Sequence, residues 1–364
     1  MPTRVPVEAL RDPIPLAPNR IQRFYRGGRM LGRFRDDPDA ADDGRPEDWV
    51  GSATASWTPP GTAPTTIGIS RVEVGPVRTT IAELVATHPE AMVGRTLLDR
   101  AGPTPGVLVK LLDAGERLPV HAHPTREAAA RSLGSRFGKT EAWLILATRD
   151  GRPATVWAGL NEPVEPTTFR HWIESEDSDA LLASLATQEV EPGDVLLIPG
   201  GTPHAIGDGI LLLELQEPTD FSVVAETRGF PIDSADASLG LGWDLAIGLF
   251  DLSAGAIVRR RTSDQPPELP AEADAFFRLR WQRAEGAASL PFEPAYAVGI
   301  VVSGEGTLRG ATTAVPLRAG GTLAVPADAV PHARLEPMQP IEIAWCLGPD
   351  PAALEAAPLP SIGP

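Results

Sequence analysis

Two short runs constrain this chain more than anything else in it: Gly115–His123, GERLPVHAH, and Gly193–His204, GDVLLIPGGTPH. RLPVHAHP reads as a strand, so His121 and His123 project from one face at a period of two while Ala122 points away. Lys139–Leu146, KTEAWLIL, returns as a strand and can bring Glu141 to the two histidines. Val195–Ile198 reads as a buried strand, and Pro199–Pro203 as a tight loop that delivers His204. Zinc and similar divalent ions take histidine nitrogens at about 2.0–2.1 Å and carboxylate oxygens at about 2.0–2.2 Å. Three histidines and one glutamate drawn from separate strands therefore point to one metal ion. The rival reading is two polar residues on an exposed strand face.

Meeting strands require turns, and composition agrees. The 39 prolines and 35 glycines interrupt long helices and favour short strands. With 364 residues, the chain is long enough for two domains with their own cores. Its 32 basic and 48 acidic residues give a net charge of -16. That field repels phosphate backbones, which argues against nucleic acid and requires any anion site to be local. Cys346 is the one cysteine, so no disulfide or cysteine-based zinc site is available within the chain. The N-terminus has no signal-like apolar core, and no stretch approaches the roughly 18 apolar residues of a membrane span. The expectation is a soluble cytoplasmic protein without a membrane partner, of unknown oligomeric state.

Several other stretches have local readings. Arg20–Arg35, RIQRFYRGGRMLGRFR, is locally basic and reads as a solvated loop, contact with an anionic ligand being the lesser reading. Trp49 and Trp57 read as packing anchors. Val107–Leu112 is a buried strand in which Lys110 can face the opposite side. Thr79–Thr87, Pro124–Leu133 and Asp177–Leu185 read as short helices with Thr79 or Thr80, Thr125, and Asp177 or Ser178 as caps. Leu239–Leu249 also reads as a helix, and His88 and His171 as surface or capping histidines. Ile210–Gln216, ILLLELQ, places Glu214 and Gln216 on one strand face. Residues 258–277 are charged and proline-rich, which fits a connection. Beyond them, Gly320–Leu335 repeats the pattern of Gly193–Ile206: glycine, apolar strand, proline, then Pro-His-Ala. His332 of this copy lacks an HxH companion, so no metal is expected there.

Gly115-(five)-His121-Ala-His123 and Gly193-(five)-Pro199-Gly-Gly-(two)-His204 match the two halves of the cupin signature. The resemblance implies a mainly β fold of two cupin-type β-barrel (jelly-roll) units with short helical insertions. Residues 1–252 form the catalytic metal-binding unit and residues 253–364 a cupin-like unit without metal. The run from Val107 to Ala147, including the helical insertion between His123 and Glu141, resembles class I mannose-6-phosphate isomerases. So do PGGTPHAIGDGILLLELQEPTDFS downstream and, more faintly, THPEAMVG and EDWVGS upstream. The resemblance covers about residues 79–222. It implies His121, His123, Glu141 and His204 as ligands of zinc or another divalent metal, and Lys139 as an active-site lysine. His121 stands where that family usually has glutamine, and Pro119 where it often has serine. Val224 stands where the family arginine is expected, with Arg228 the nearest arginine.

The implied chemistry is aldose–ketose interconversion through an enediol, with a sugar or sugar phosphate as partner. A metal polarises the oxygens, and a positioned base moves the proton. Glu214 and Asp220 are the candidate bases by position. Lys139 and Arg228 are candidates to stabilise the enediolate or bind an anion. The leading expectation is mannose 6-phosphate/fructose 6-phosphate interconversion. The alternatives are another or unphosphorylated sugar, a cupin oxygenase, and a non-catalytic sugar-binding cupin.

Overall fold

In the computed structural model the chain is described over residues 4–59, 61–253, 255, 257 and 266–362. The fold is mainly β. Its central element is the strand Ile210–Gln216, every residue of which is buried. It pairs antiparallel with Leu108–Ala114 on one side and Glu141–Thr148 on the other. The register sets Glu214 against Lys110 across one ladder and against Trp143 across the other. Val195–Ile198, Glu47–Val50 and Arg20–Ile21 complete a six-stranded sheet. Burial on both faces explains why these strands read as apolar runs rather than as clean alternation.

A five-stranded sheet holds Leu185–Val190, Ala154–Leu160, His204–Ile206, His121–Ala122 and Val223–Val224, in that order. His204 lies directly opposite His121 in its ladder. Leu112, Trp143 and Ile145 of the first sheet pack with Val156, Ala158 and Ile206 of the second. The two sheets thus share a core, and His121, His123 and Glu141 line a cavity beside its Leu112, Leu118 and Ile206. RLPVHAHP contributes a strand only over His121–Ala122, because its prolines cannot donate to a ladder.

The C-terminal part forms a second pair of sheets. One contains Ile14–Pro15, Thr322–Val325, Ala297–Ser303, Ile341–Leu347 and Arg278–Ala284; the other Ala314–Arg318, Glu305–Arg309 and Arg334–Pro337. Leu308, Leu323, Leu335, Ile343 and Trp345 fill the space between them. His332, at the end of a 3-10 turn, is exposed.

The N-terminal segment crosses the expected division at residue 252. Ile14 pairs with Ala324, and the Asp12 carboxylate accepts from the Thr312 and Thr313 amides and the Thr312 hydroxyl. The largest apolar core also runs across it, joining Val109 and Leu213 to Val298, Ile300 and Ala344. We retain residues 1–252 and 253–364 as a proposal for two jelly-roll units, packed through a common interior. Of the expected connection at 258–277, residues 258–265 lie outside the described residues.

Short helices follow their caps. Ile81–Thr87 begins in a capping box of Thr80 and Glu83, Arg126–Ser132 at Thr125, and Ser178–Ala183 at Asp177. The helix expected over Leu239–Leu249 is shorter, Trp243–Ala246 followed by a 3-10 turn. Leu239, Gly240 and Gly242 have φ of 54°, 72° and 71°, and left-handed residues do not continue a right-handed helix.

The buried Tyr296 hydroxyl donates to the Gly51 carbonyl at 2.6 Å, joining the two parts. Tyr296→Phe is expected to cost about 1 kcal/mol in urea unfolding while leaving a single transition. Two separate transitions in the wild type would contradict a shared core.

Candidate metal centre

His121, His123 and His204 come together as the sequence pattern requires, with their ligand atoms within 4.8 Å of one another. All three side chains are buried. Each ring is fixed by the same device. Nδ1–H of His121 donates to the Pro119 carbonyl, that of His123 to Phe221 and that of His204 to Thr202, each at 2.8 Å. A carbonyl only accepts, so Nδ1 carries the proton and Nε2 presents a lone pair to the centre. Burial, followed by the neighbouring histidines, holds His121 well below its ordinary pKa. Burial and then the Lys139 ammonium push His123 down to about 3. The three rings are neutral at neutral pH.

Glu141 supplies the carboxylate. Its Oε2 lies 3.0 Å from His123 Nε2, and its Oε1 3.4 Å from His204 Nε2. Trp143 Nε1–H donates to Oε1 at 2.9 Å and orients the group. Burial favours the neutral acid, but Lys139 and then His123 outweigh it and hold Glu141 well below the usual range. A carboxylate facing imidazole lone pairs is electrostatically unfavourable unless a cation lies between them. The Lys139 ammonium partly meets that need, donating to His123 Nε2 at 2.7 Å and Glu141 Oε2 at 2.8 Å. His204 Nε2 is buried and without a hydrogen-bond partner. Three oriented nitrogens, one carboxylate and one orphaned lone pair fit a divalent ion.

Gly138 and Gly200 are steric requirements. A Cβ on Gly138 would lie 2.5 Å from the Pro124 oxygen, and one on Gly200 2.8 Å from the same atom. Both glycines press on the backbone that follows His123. The buried Arg126–Glu217 pair, at 2.6 Å, braces the same region, with Glu217 accepting from the Thr140 amide.

The centre opens into a cavity of about 310 Å³. Glu214, Lys139 and Asp220 line it. Burial raises the Glu214 carboxyl to about 7 although Lys110 opposes the shift. Lys110 Nζ lies 3.4 Å from Glu214 and 3.6 Å from Glu47, and Lys139 Nζ 3.8 Å from Glu214. Asp220 accepts from Arg23 at 2.8 and 3.3 Å, from the Ser56 hydroxyl at 2.9 Å and from the Trp57 amide at 3.1 Å. Burial would raise Asp220, but Arg23 and then Lys110 outweigh it and lower it. Arg228 is exposed and does not line the cavity, whereas Val224 does.

Sequence reasoning missed Arg23, Tyr25, Glu47, Trp57 and Lys110, all of which face this cavity. Glu47 accepts from Tyr25 at 2.5 Å and from Trp49 Nε1–H at 2.7 Å, and lies 3.0 Å from Arg23 Nε. Two signals were available: the lone lysine in the apolar run VLVKLL, and the glutamate in EDWVGS. Arg23 was concealed in a basic stretch that reads as solvated.

No family model matches the chain. It is 30% identical over 226 residues to mannose-6-phosphate isomerase ManA of Bacillus subtilis, covering 60% of this chain and 69% of that protein. The fold matches the crystal structure of the mannose 6-phosphate isomerase from Bacillus subtilis with a TM-score of 0.68 at 22% identity, over 92% of this chain and 99% of that one. It also matches a mannose 6-phosphate isomerase bound with zinc and yttrium, TM-score 0.64 at 14% identity, over 93% and 100% of the two chains.

Removing His123 or His204 is expected to abolish stoichiometric divalent-metal binding in elemental analysis. Chelation should lower the wild-type melting temperature, since an ion at 100 times its Kd contributes about 2.7 kcal/mol. Full metal content in both variants would contradict the assignment.

Proposed function

The chain belongs to the mannose-6-phosphate isomerase family, and we propose that it interconverts mannose 6-phosphate and fructose 6-phosphate in this cavity. The observation that carries the reading is the oriented His121–His123–His204 set with Glu141, opening on a cavity that also holds a carboxyl raised to about 7. Likeness to named isomerases favours it over a cupin oxygenase or a non-catalytic sugar-binding cupin.

His121, His123, His204 and Glu141 would hold zinc, the divalent ion to which this donor set is well suited. When bound, such an ion polarises the sugar's carbonyl and hydroxyl oxygens as a Lewis acid. Proton movement falls to the protein. Glu214 is the proposed base: it lines the cavity, and a carboxyl near 7 both accepts and returns a proton at neutral pH. It would take the proton from the carbon beside the carbonyl and deliver it to the neighbouring carbon. Lys110 and Lys139 flank it and suit charge that develops on an enediolate. Asp220, which accepts from four donors and is held ionised, serves better as an anion than as a base. Phe24, Leu112, Leu118 and Ile206 supply an apolar wall that limits water near the reacting carbons. Among the described residues no helix is long and apolar enough to cross a membrane, and the cytoplasm is the proposed place of action.

Turnover of mannose 6-phosphate by the metal-loaded protein tests the function, and its absence would overturn it. Glu214→Gln is expected to lower kcat by at least about 100-fold with metal content unchanged. The base must be deprotonated, so kcat/KM should rise with pH through about 7 in the wild type. A flat profile between pH 5.5 and 8.5 would remove Glu214 from the role.

A further inference from the structure

Among the described residues, every lysine and arginine lining the cavity is already paired. Arg23 lies against Glu47 and Asp220, Lys110 against Glu47 and Glu214, and Lys139 against Glu141 and Glu214. A sugar phosphate brings a dianion into this space, and a chain of net charge -16 offers it no general attraction. A local set of donors is needed. One exists, and it is occupied by the protein itself.

Four donors converge on the single Asp220 carboxylate: both terminal nitrogens of Arg23, the Ser56 hydroxyl and the Trp57 amide. They come from two separate stretches of chain, and Arg23, Ser56, Trp57 and Asp220 all line the cavity. A guanidinium fork plus a hydroxyl and a backbone amide is the donor chemistry that recognises phosphate. A carboxylate has about four acceptor positions, so Asp220 saturates the nest. Asp220 lies between the strands Ile210–Gln216 and Val223–Val224, on a connection whose neighbouring Phe221 carbonyl is held by His123. Rotation of the Asp220 side chain alone would free all four donors and leave that carbonyl in place.

We propose that Arg23, Ser56 and the Trp57 amide form a phosphate subsite, filled by the chain's own Asp220 carboxylate until the phosphate of the substrate displaces it. This rests on the sugar-phosphate reading above. Arg23 is then a specificity-determining residue, and Asp220 an internal competitor that excludes weaker anions. A phosphate dianion carries more charge and more acceptor oxygens than the carboxylate it replaces.

The test is calorimetric binding of inorganic phosphate to the full-length, metal-loaded chain, with steady-state turnover of mannose 6-phosphate and of mannose. Asp220→Asn removes the competitor's charge and should tighten phosphate binding and lower KM for mannose 6-phosphate, each by about tenfold. Arg23→Ala should weaken both by at least about tenfold. Ser56→Ala removes one hydroxyl donor, keeps the fold, and should weaken both by about threefold. KM for mannose should not follow these changes. Unchanged phosphate affinity and KM in Asp220→Asn and Ser56→Ala, at wild-type melting temperature, would overturn the proposal and leave the nest as a brace for the connection. If phosphate affinity follows the nest but mannose 6-phosphate is not turned over, the isomerase reading fails and the subsite stands. If mannose 6-phosphate is turned over with a KM indifferent to all three variants, the subsite fails and the isomerase reading stands.

Discussion

Three hydrogen bonds from imidazole Nδ1–H to backbone carbonyls determine what this structure can do. They fix the tautomers of His121, His123 and His204 and turn three lone pairs toward one point. The acceptors are the carbonyls of Pro119, Phe221 and Thr202, on three different connections. Two of these acceptors lie two residues before the histidine they hold, so the local chain orients His121 and His204, whereas His123 is oriented by a distant connection, the one that carries Phe221. The close packing of Gly138 and Gly200 against Pro124 follows from the same need, because a Cβ at either position would displace the backbone leaving His123.

Beyond the histidines runs a buried string of alternating charge: Arg23, Glu47, Lys110, Glu214, Lys139, Glu141. Burying such groups costs several kcal/mol per ion before pairing, so the string is weak evidence for stability. Its value is in setting protonation. Arg23 and Lys110 outweigh burial at Glu47 and keep it ionised, whereas burial prevails at Glu214. Two carboxyls near the same lysine are thereby driven apart, which is how one site comes to hold both a fixed anion and a group able to exchange a proton.

The sequence made the metal-type residues legible because each sits in a pattern with a steric cause: the period of two in His-Ala-His, the glycines before each strand, the proline-rich turn before His204. The position of Glu141 was legible through the helical insertion that separates it from His123. The remaining wall was not. Arg23 reads as one more arginine in a basic run, and only the fold shows that it leaves solvent to meet Asp220. The assignment of Arg228 rested on nearness in sequence to Val224, and the turn after the Val223–Val224 strand carries it to the surface. The N-terminal strand paired with the C-terminal sheet was equally hidden, since two residues carry no periodicity. Leu239 began an expected helix because its apolar spacing fits one, and backbone conformation decided otherwise.

The central claim is that Nε2 of the three histidines and the Glu141 carboxylate share one ion, and that Lys139 currently supplies the positive charge there. A crystal structure of the zinc-loaded protein, with anomalous data at the zinc edge, tests it most directly. The account expects one peak at about 2.0–2.1 Å from each Nε2, with the Lys139 ammonium moved off His123. A peak elsewhere, or Lys139 still hydrogen-bonded to His123 Nε2 in the loaded protein, would contradict it.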